Sequence, residues 1–262
     1  MEVYGGAGVV SRHMSELGFC VAPVLDLSNS HHYDMSDLRL LEWSIHMIEE
    51  GRFRAFLVEP PCTSFSAAAH PSVRPYKEPL CYDRTEKKTL HGNLHAFRAF
   101  TLLRVGRRKR WPCGLEQPRL SKMAWLTFWQ TLLALGFVAS CQFGSLHREE
   151  FRFLVFLLDV VFLEARCHGG HHHVRIDGKW IKGSAVYTDG LGKHLAAAFA
   201  KALRLGFAED EDVVHGFESL VVNDFMESSH WTLGKVWDWK KHAHINVYET
   251  DASVVALESS SY

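Results

Sequence analysis

From Met1 to Phe143 the chain alternates short apolar runs with segments of helical spacing, and this alternation limits the folds open to it. Met1-Glu-Val-Tyr4 predicts a very short strand running into the turn Gly5-Gly6-Ala7-Gly8, with a helix from Val9 to Leu17. Cys20 to Leu25 predicts a second strand ending at Asp26, and Met35 to Glu50 a second helix. Arg54 to Val58 predicts a third strand, stopped by Pro60-Pro61 because proline cannot donate to a ladder. A helix over Asn93 to Leu103, a strand at Cys113 to Glu116, a helix over Met123 to Leu135 and a strand at Val138 to Phe143 continue the pattern. Such βαβα order predicts an α/β domain with a mostly parallel sheet and helices on both faces. Sites in these sheets lie at the carboxyl ends of strands, where Gly5, Asp26, Cys62 and Glu116 all fall.

Composition narrows the class. With 262 residues, 47% hydrophobic and 23% charged, the chain predicts a soluble globular protein with one main core. Its 29 basic and 30 acidic residues exclude a globally basic protein, so any nucleic-acid contact is a local one. Arg104 to Arg110 is the one dense basic cluster, readable as a solvated helix end or as a phosphate contact. Six unpaired-looking cysteines and no secretory signal predict a reducing, intracellular setting, nuclear in a eukaryote and otherwise cytoplasmic. The longest apolar stretch, Phe151 to Leu163, is interrupted by Arg152 and Asp159 and is too short and charged for a membrane span. Leu191 to Leu203 predicts an amphipathic, alanine-rich helix, and a shift in composition after Glu209-Asp-Glu-Asp212 divides a domain at 1–208 from a tail at 209–262.

Four features carry chemistry. The glycine turn lets backbone approach a ligand and aims helix amides at it, although a plain tight turn has the same composition. Asp26 stands where an acidic residue binds ribose hydroxyls, and equally where one caps a loop. Cys62, on a proline-stiffened turn, projects a thiol into the crevice, where a cationic or helix-terminal neighbour would favour its thiolate. In Cys167-His-Gly-Gly-His171-His172-His173, strand alternation would put His171 and His173 on one face with Cys167, a set able to hold structural zinc; the alternative is an uncoordinated histidine-rich loop facing nucleic acid.

Taken in order, Glu2-Val-Tyr-Gly-Gly-Ala-Gly8, Tyr33-Asp-Met-Ser-Asp-Leu38, Pro60-Pro-Cys-Thr-Ser-Phe-Ser66 and Leu115-Glu-Gln-Pro118 resemble the ordered motifs of the cytosine-5 DNA methyltransferases, over roughly residues 2 to 205. The resemblance implies a Rossmann-like fold binding S-adenosylmethionine. Tyr4 would lie against the adenine, Gly5, Gly6 and Gly8 would line the methionine side, and Pro60 would border the cofactor. Asp26 would hold the ribose, and Asp34 would accept from the adenine amino group. Cys62 would attack carbon-6 of a cytosine, Glu116 would share or supply a proton at ring nitrogen 3, and Arg148 and Arg152 would support the base pocket. A base held in a duplex must be flipped out for such chemistry, so the implied partner is DNA, with RNA open to the same mechanism. Ser184-Ala-Val-Tyr187 and the helix after it resemble the family's last motif, which completes the cofactor pocket.

Departures are visible as well. The turn reads Tyr-Gly-Gly-Ala-Gly in place of Phe-Ala-Gly-x-Gly-Gly, Glu116 is followed by Gln-Pro in place of Asn-Val, and little chain remains for a target-recognition domain. With Met1 as the start, the first strand is short. Trp237 to Ala252 resembles the junction that opens ribonuclease-H-like domains in some retroelement polyproteins. These departures leave a second reading, a mobile-element remnant that binds DNA or cofactor without turnover. A Cys-His hydrolase using Cys62 would leave Glu116, Asp34 and the glycine turn without a role.

Overall fold

The computed structural model describes residues 1–66, 74–81, 83, 86–141, 151–158, 163 and 187–205. Five strands, β1 (Glu2–Val3), β2 (Phe56–Val58), β3 (Cys113–Pro118), β4 (Phe137–Cys141) and β5 (Phe151–Phe156), form one sheet in the order β1-β2-β3-β5-β4. The first three run parallel, whereas β5 is antiparallel to both β3 and β4. The sheet is therefore mixed, not mostly parallel. Between Cys141 and Phe151 there are too few residues for the crossover that a parallel neighbour requires, so the chain returns antiparallel.

The expected strand from Cys20 to Leu25 reduces to a single parallel bridge between Leu25 and Val3. Tyr4 N–H donates to Leu25 O (2.8 Å) and Leu25 N–H to Glu2 O (3.0 Å), while Pro23 has no N–H with which to extend the ladder. Leu25 thus flanks β1 on one side and β2 on the other. The chain order reverses across the sheet at β1, and it is outside the carboxyl ends of strands at such a reversal that open α/β sheets place their ligands.

Alternation along the strands sends successive side chains to opposite faces. Phe56, Val58, Cys113, Leu115, Leu154 and Phe156 pack with α2 (Leu38–Glu49), α3 (Lys87–Arg108) and α4 (Thr127–Leu133). Leu57, Phe153 and Val155 pack on the other face with α1 (Val9–Glu16) and α5 (Asp189–Leu205). Helices on both faces are as expected. α3 begins earlier than its apolar spacing suggests, because the Glu86 side chain caps it by accepting from the Lys88 and Thr89 amides. The expected helix over Met123 to Leu135 is divided into a 3-10 turn, Lys122–Trp125, and α4. Among the described residues no helix is long and apolar enough to cross a membrane.

Candidate active site

The turn after β1 is held by its own chain. Tyr4, Gly6 and Gly8 have φ of 63°, 47° and 63°, and a Cβ on Gly8 would lie 2.5 Å from Val24 Cγ2. One on Gly5 would lie 2.8 Å from Glu2 Cβ. The buried Glu2 carboxylate accepts from the amides of Val10 (3.3 Å) and Ser11 (2.5 Å), so the first-turn donors of α1 that bind phosphate in other proteins are occupied from inside. Burial raises the Glu2 carboxyl and those bonds oppose the rise. Asp26 takes the Gly6 amide on Oδ2 (3.1 Å) and the Ser28 amide and hydroxyl on Oδ1 (2.8 and 2.6 Å). Its loop-capping role is therefore realised, and it lies directly against the glycine turn.

Tyr4, Asp34 and two histidines meet beside this turn. The Tyr4 hydroxyl is 2.9 Å from His95 Nδ1, and His95 Nε2 is 2.8 Å from His91 Nε2. Burial, then the neighbouring His91, lowers His95 to about 4, and burial pushes the Tyr4 phenol up. Asp34 accepts from the Ser36 amide (2.8 Å), which holds its carboxyl below the usual range, with His95 and His91 assisting. Arg98 donates to Ser36 O (3.0 Å) and Asp37 O (3.3 Å), fixing the Asp34 segment against α3. In the sequence the only mark on His91 and His95 is their spacing of four, which puts both on one face of a helix.

Cys62 is half-buried, is in no disulfide, and begins a loop that is tied down at several points. Its carbonyl accepts from the amides of Phe65 (2.9 Å) and Ser66 (2.7 Å). Phe65 is fully buried beneath the Arg74 guanidinium, 3.8 Å from its ring centre. Arg74 in turn donates to Pro79 O, Asn93 Oδ1 and Thr89 O at 2.5, 2.6 and 2.8 Å, and its burial lowers it to about 10. Gly92 of α3 makes room for the loop: a Cβ there would lie 2.2 Å from Ser64 Oγ. The loop is also joined to β3, since Gln117 Nε2 donates to Pro60 O (2.8 Å) and the Lys122 amide donates to Phe65 O (2.8 Å).

Glu116 belongs to a cluster of acids on the α1/α5 face. Val58 pairs with Leu115, so Glu59, immediately after β2, stands level with Glu116. Burial pushes the Glu59 carboxyl well above the usual range; Glu2, Glu116 and Asp26 add to the rise and the Tyr187 hydroxyl opposes it. Tyr187, just before α5, is likewise pushed far up by burial and by Glu116, Glu59 and Glu2. Glu59 was missed in the sequence because its meaning depends on strand register.

The remaining candidates divide. Arg152 lies in β5 opposite Gln117 and Ser140, which places its backbone beside the Glu116 strand, while Arg148, Cys167, His171 and His173 lie outside the described residues, as does the tail from 209. Among the described residues no group of side chains could hold a metal ion. The basic cluster from Arg104 ends α3 and precedes the start of β3, at the opposite edge of the sheet from Cys62; Arg108 there pairs with Glu49. On the near edge, Tyr76 and Trp125 form an exposed edge-to-face pair with ring centres 5.9 Å apart, and Lys122 between them in sequence donates from its ammonium to Arg74 O. Comparison with family models, curated proteins and solved structures finds no match for the chain.

Proposed function

We propose that this chain transfers a methyl group from S-adenosylmethionine to carbon-5 of cytosine in DNA, with Cys62 as the nucleophile. The observation that carries the reading is the join between the Cys62 loop and the Glu116 strand through Gln117 and Pro60, at the carboxyl edge where the glycine turn also opens. A thiol and a buried carboxyl on adjacent strands suit attack at one ring atom with proton support at another.

The crevice fits a positively charged adenosine cofactor better than a dinucleotide. Its helix amides are taken by Glu2 and its Gly6 amide by Asp26, which closes these donors to a pyrophosphate, and the Asp26 carboxylate beside the turn favours a sulfonium. Tyr4, Gly5, Gly6, Gly8, Asp26, Asp34 and Pro60 are the residues that would hold such a cofactor. When bound, it supplies an electrophilic methyl group. The Cys62 thiolate would form a bond to carbon-6 as the carbon-5–carbon-6 double bond opens and Glu116 provides the proton at nitrogen 3, so negative charge does not accumulate on the ring. Once carbon-5 carries the methyl group, loss of its proton to a base re-forms the double bond, expels the Cys62 thiolate, and nitrogen 3 returns its proton to Glu116. The Tyr76–Trp125 pair offers stacking faces for unpaired bases at the lip of the site.

The test is a trapped adduct. Incubated with S-adenosylmethionine and an oligonucleotide containing 5-fluorocytosine, the chain should form a denaturant-resistant complex with DNA, and Cys62→Ser should form none while keeping its circular dichroism spectrum. Glu116→Gln should slow adduct formation by about 10²- to 10⁴-fold, the usual weight of a general acid. An adduct that survives Cys62→Ser sinks the mechanism, and an adduct with RNA alone moves the substrate to RNA.

A further inference from the structure

Tyr4, which follows β1, has a φ of 63°, in the left-handed region where an aromatic residue is strained. Strain of this kind persists only where surrounding contacts fix it, and here they come from α3. The Tyr4 ring meets the His95 ring edge-on, with centres 5.2 Å apart, and its hydroxyl is 2.9 Å from His95 Nδ1. His95 Nε2 is in turn 2.8 Å from Nε2 of the exposed His91, one turn earlier on the helix. Further along the same face, Arg98 holds the Asp34 segment by donating to Ser36 O and Asp37 O. One side of α3 thus frames both Tyr4 and Asp34.

The hydrogen bonds in this chain have one workable direction. His95 is 3% exposed, and burial lowers it to about 4, so at pH 7 it is neutral and carries a single N–H. Among the described residues the Tyr4 hydroxyl has no hydrogen-bond partner other than His95 Nδ1. With the His95 hydrogen on Nδ1, the phenol would only accept, and its own O–H would have no protein partner. With the hydrogen on Nε2, Tyr4 donates to Nδ1, His95 donates to His91 Nε2, and His91 turns its remaining N–H to water. The charged groups acting on His95 are Asp34, from the segment before α2, and Arg98 of α3 itself.

We propose that His95 is a positioning residue for the base of the cofactor: held as the Nε2–H tautomer by His91, it accepts the Tyr4 hydroxyl on Nδ1 and keeps the Tyr4 ring, in its left-handed conformation, in the orientation against which a purine stacks. The purine rests on the proposed methyl transfer, whereas the tautomer and the hold on Tyr4 do not. Because His95 acts on binding and touches no reacting atom, its loss weakens the ground state and the transition state alike.

Two measurements on the full chain test it. Nitrogen-15 NMR of the imidazoles at pH 7, with the His95 signals identified by their loss in His95→Gln, should show a neutral ring with its hydrogen on Nε2. Tyr4→Phe, which removes the hydroxyl and keeps the ring, should move the Nδ1 signal toward that of a free acceptor. A charged ring, a hydrogen on Nδ1, or an Nδ1 signal indifferent to Tyr4→Phe overturns the proposal. In methyl-transfer assays His95→Leu, which removes both bonds, should raise KM for S-adenosylmethionine by about tenfold or more and leave kcat within about threefold. His95→Gln, whose amide can accept from Tyr4 and donate to His91, should bring KM back to within about threefold of the wild-type value. Equal damage by both variants, or a fall in kcat with KM unchanged, assigns His95 to packing alone and overturns the proposal. The expected tautomer and Tyr4 dependence in a chain that neither binds nor uses S-adenosylmethionine upholds the hold on Tyr4 and overturns the methyltransferase reading instead.

Discussion

His95 and Glu59 put opposite slopes on stability. His95 is lowered to about 4 by burial, so the unfolded chain binds more protons than the folded one between its ordinary value of about 6.5 and that point. Stability should fall as pH drops through this window, and His95→Gln should flatten the fall in urea titrations. Glu59 is raised, so its contribution reverses: the folded chain holds the proton longer, and stability should decline as pH climbs above the ordinary carboxylate value of about 4.3 toward the raised one. Glu59→Gln should raise Tm at pH 8 by at least about 3 °C, equivalent to roughly 1 kcal/mol in a domain of this size. At this scale the positions of Cys62 after β2, of Glu116 in β3 and of the glycine turn after β1 were readable in the sequence because each is marked by its immediate neighbours. Glu59, His91 and His95 were not, since their roles come from partners on other elements. Asp26 was readable only to the extent of its two alternatives, and the structure realises the local one.

At the scale of elements, α3 does more than cover the sheet, for it positions the Cys62 loop. Gly92→Ala should favour the isolated helix by about 0.8–1 kcal/mol. In the folded chain, however, the new methyl group would lie 2.2 Å from Ser64 Oγ and 2.9 Å from Arg74 Nη2. The clash should win, with a net loss of about 1–3 kcal/mol in denaturant unfolding and a slower adduct. If the chain acts on DNA as proposed, Trp125→Ala should weaken single-stranded DNA affinity measured by anisotropy by about 1–3 kcal/mol, with stability nearly unchanged. Most helices were legible because apolar spacing survives in their buried faces. The start of α3 was hidden by a polar first turn, and the strand expected at Cys20 to Leu25 was overread because Pro23 and the exposed Val21 sit in an apolar run that pairs only at its end.

Across the whole molecule, two cores meet at the sheet, and α5 closes one of them. Phe199, 3% exposed, packs there with Leu195, Phe153 and Val155. Phe199→Ala should cost about 3–5 kcal/mol. The α/β class and the helices on both faces followed from the sequence, but strand direction did not, because apolar alternation looks the same read either way. That hidden reversal also sets a timetable. β5 is synthesised after β4 yet sits between β4 and β3, so on the ribosome β3 waits with one edge open and β4 has no neighbour until residues 151–156 emerge. Phe137 and Val138, 65% and 43% exposed even in the finished sheet, are the residues left uncovered in that interval, and they mark where a stalled nascent chain would recruit a chaperone or another copy of itself.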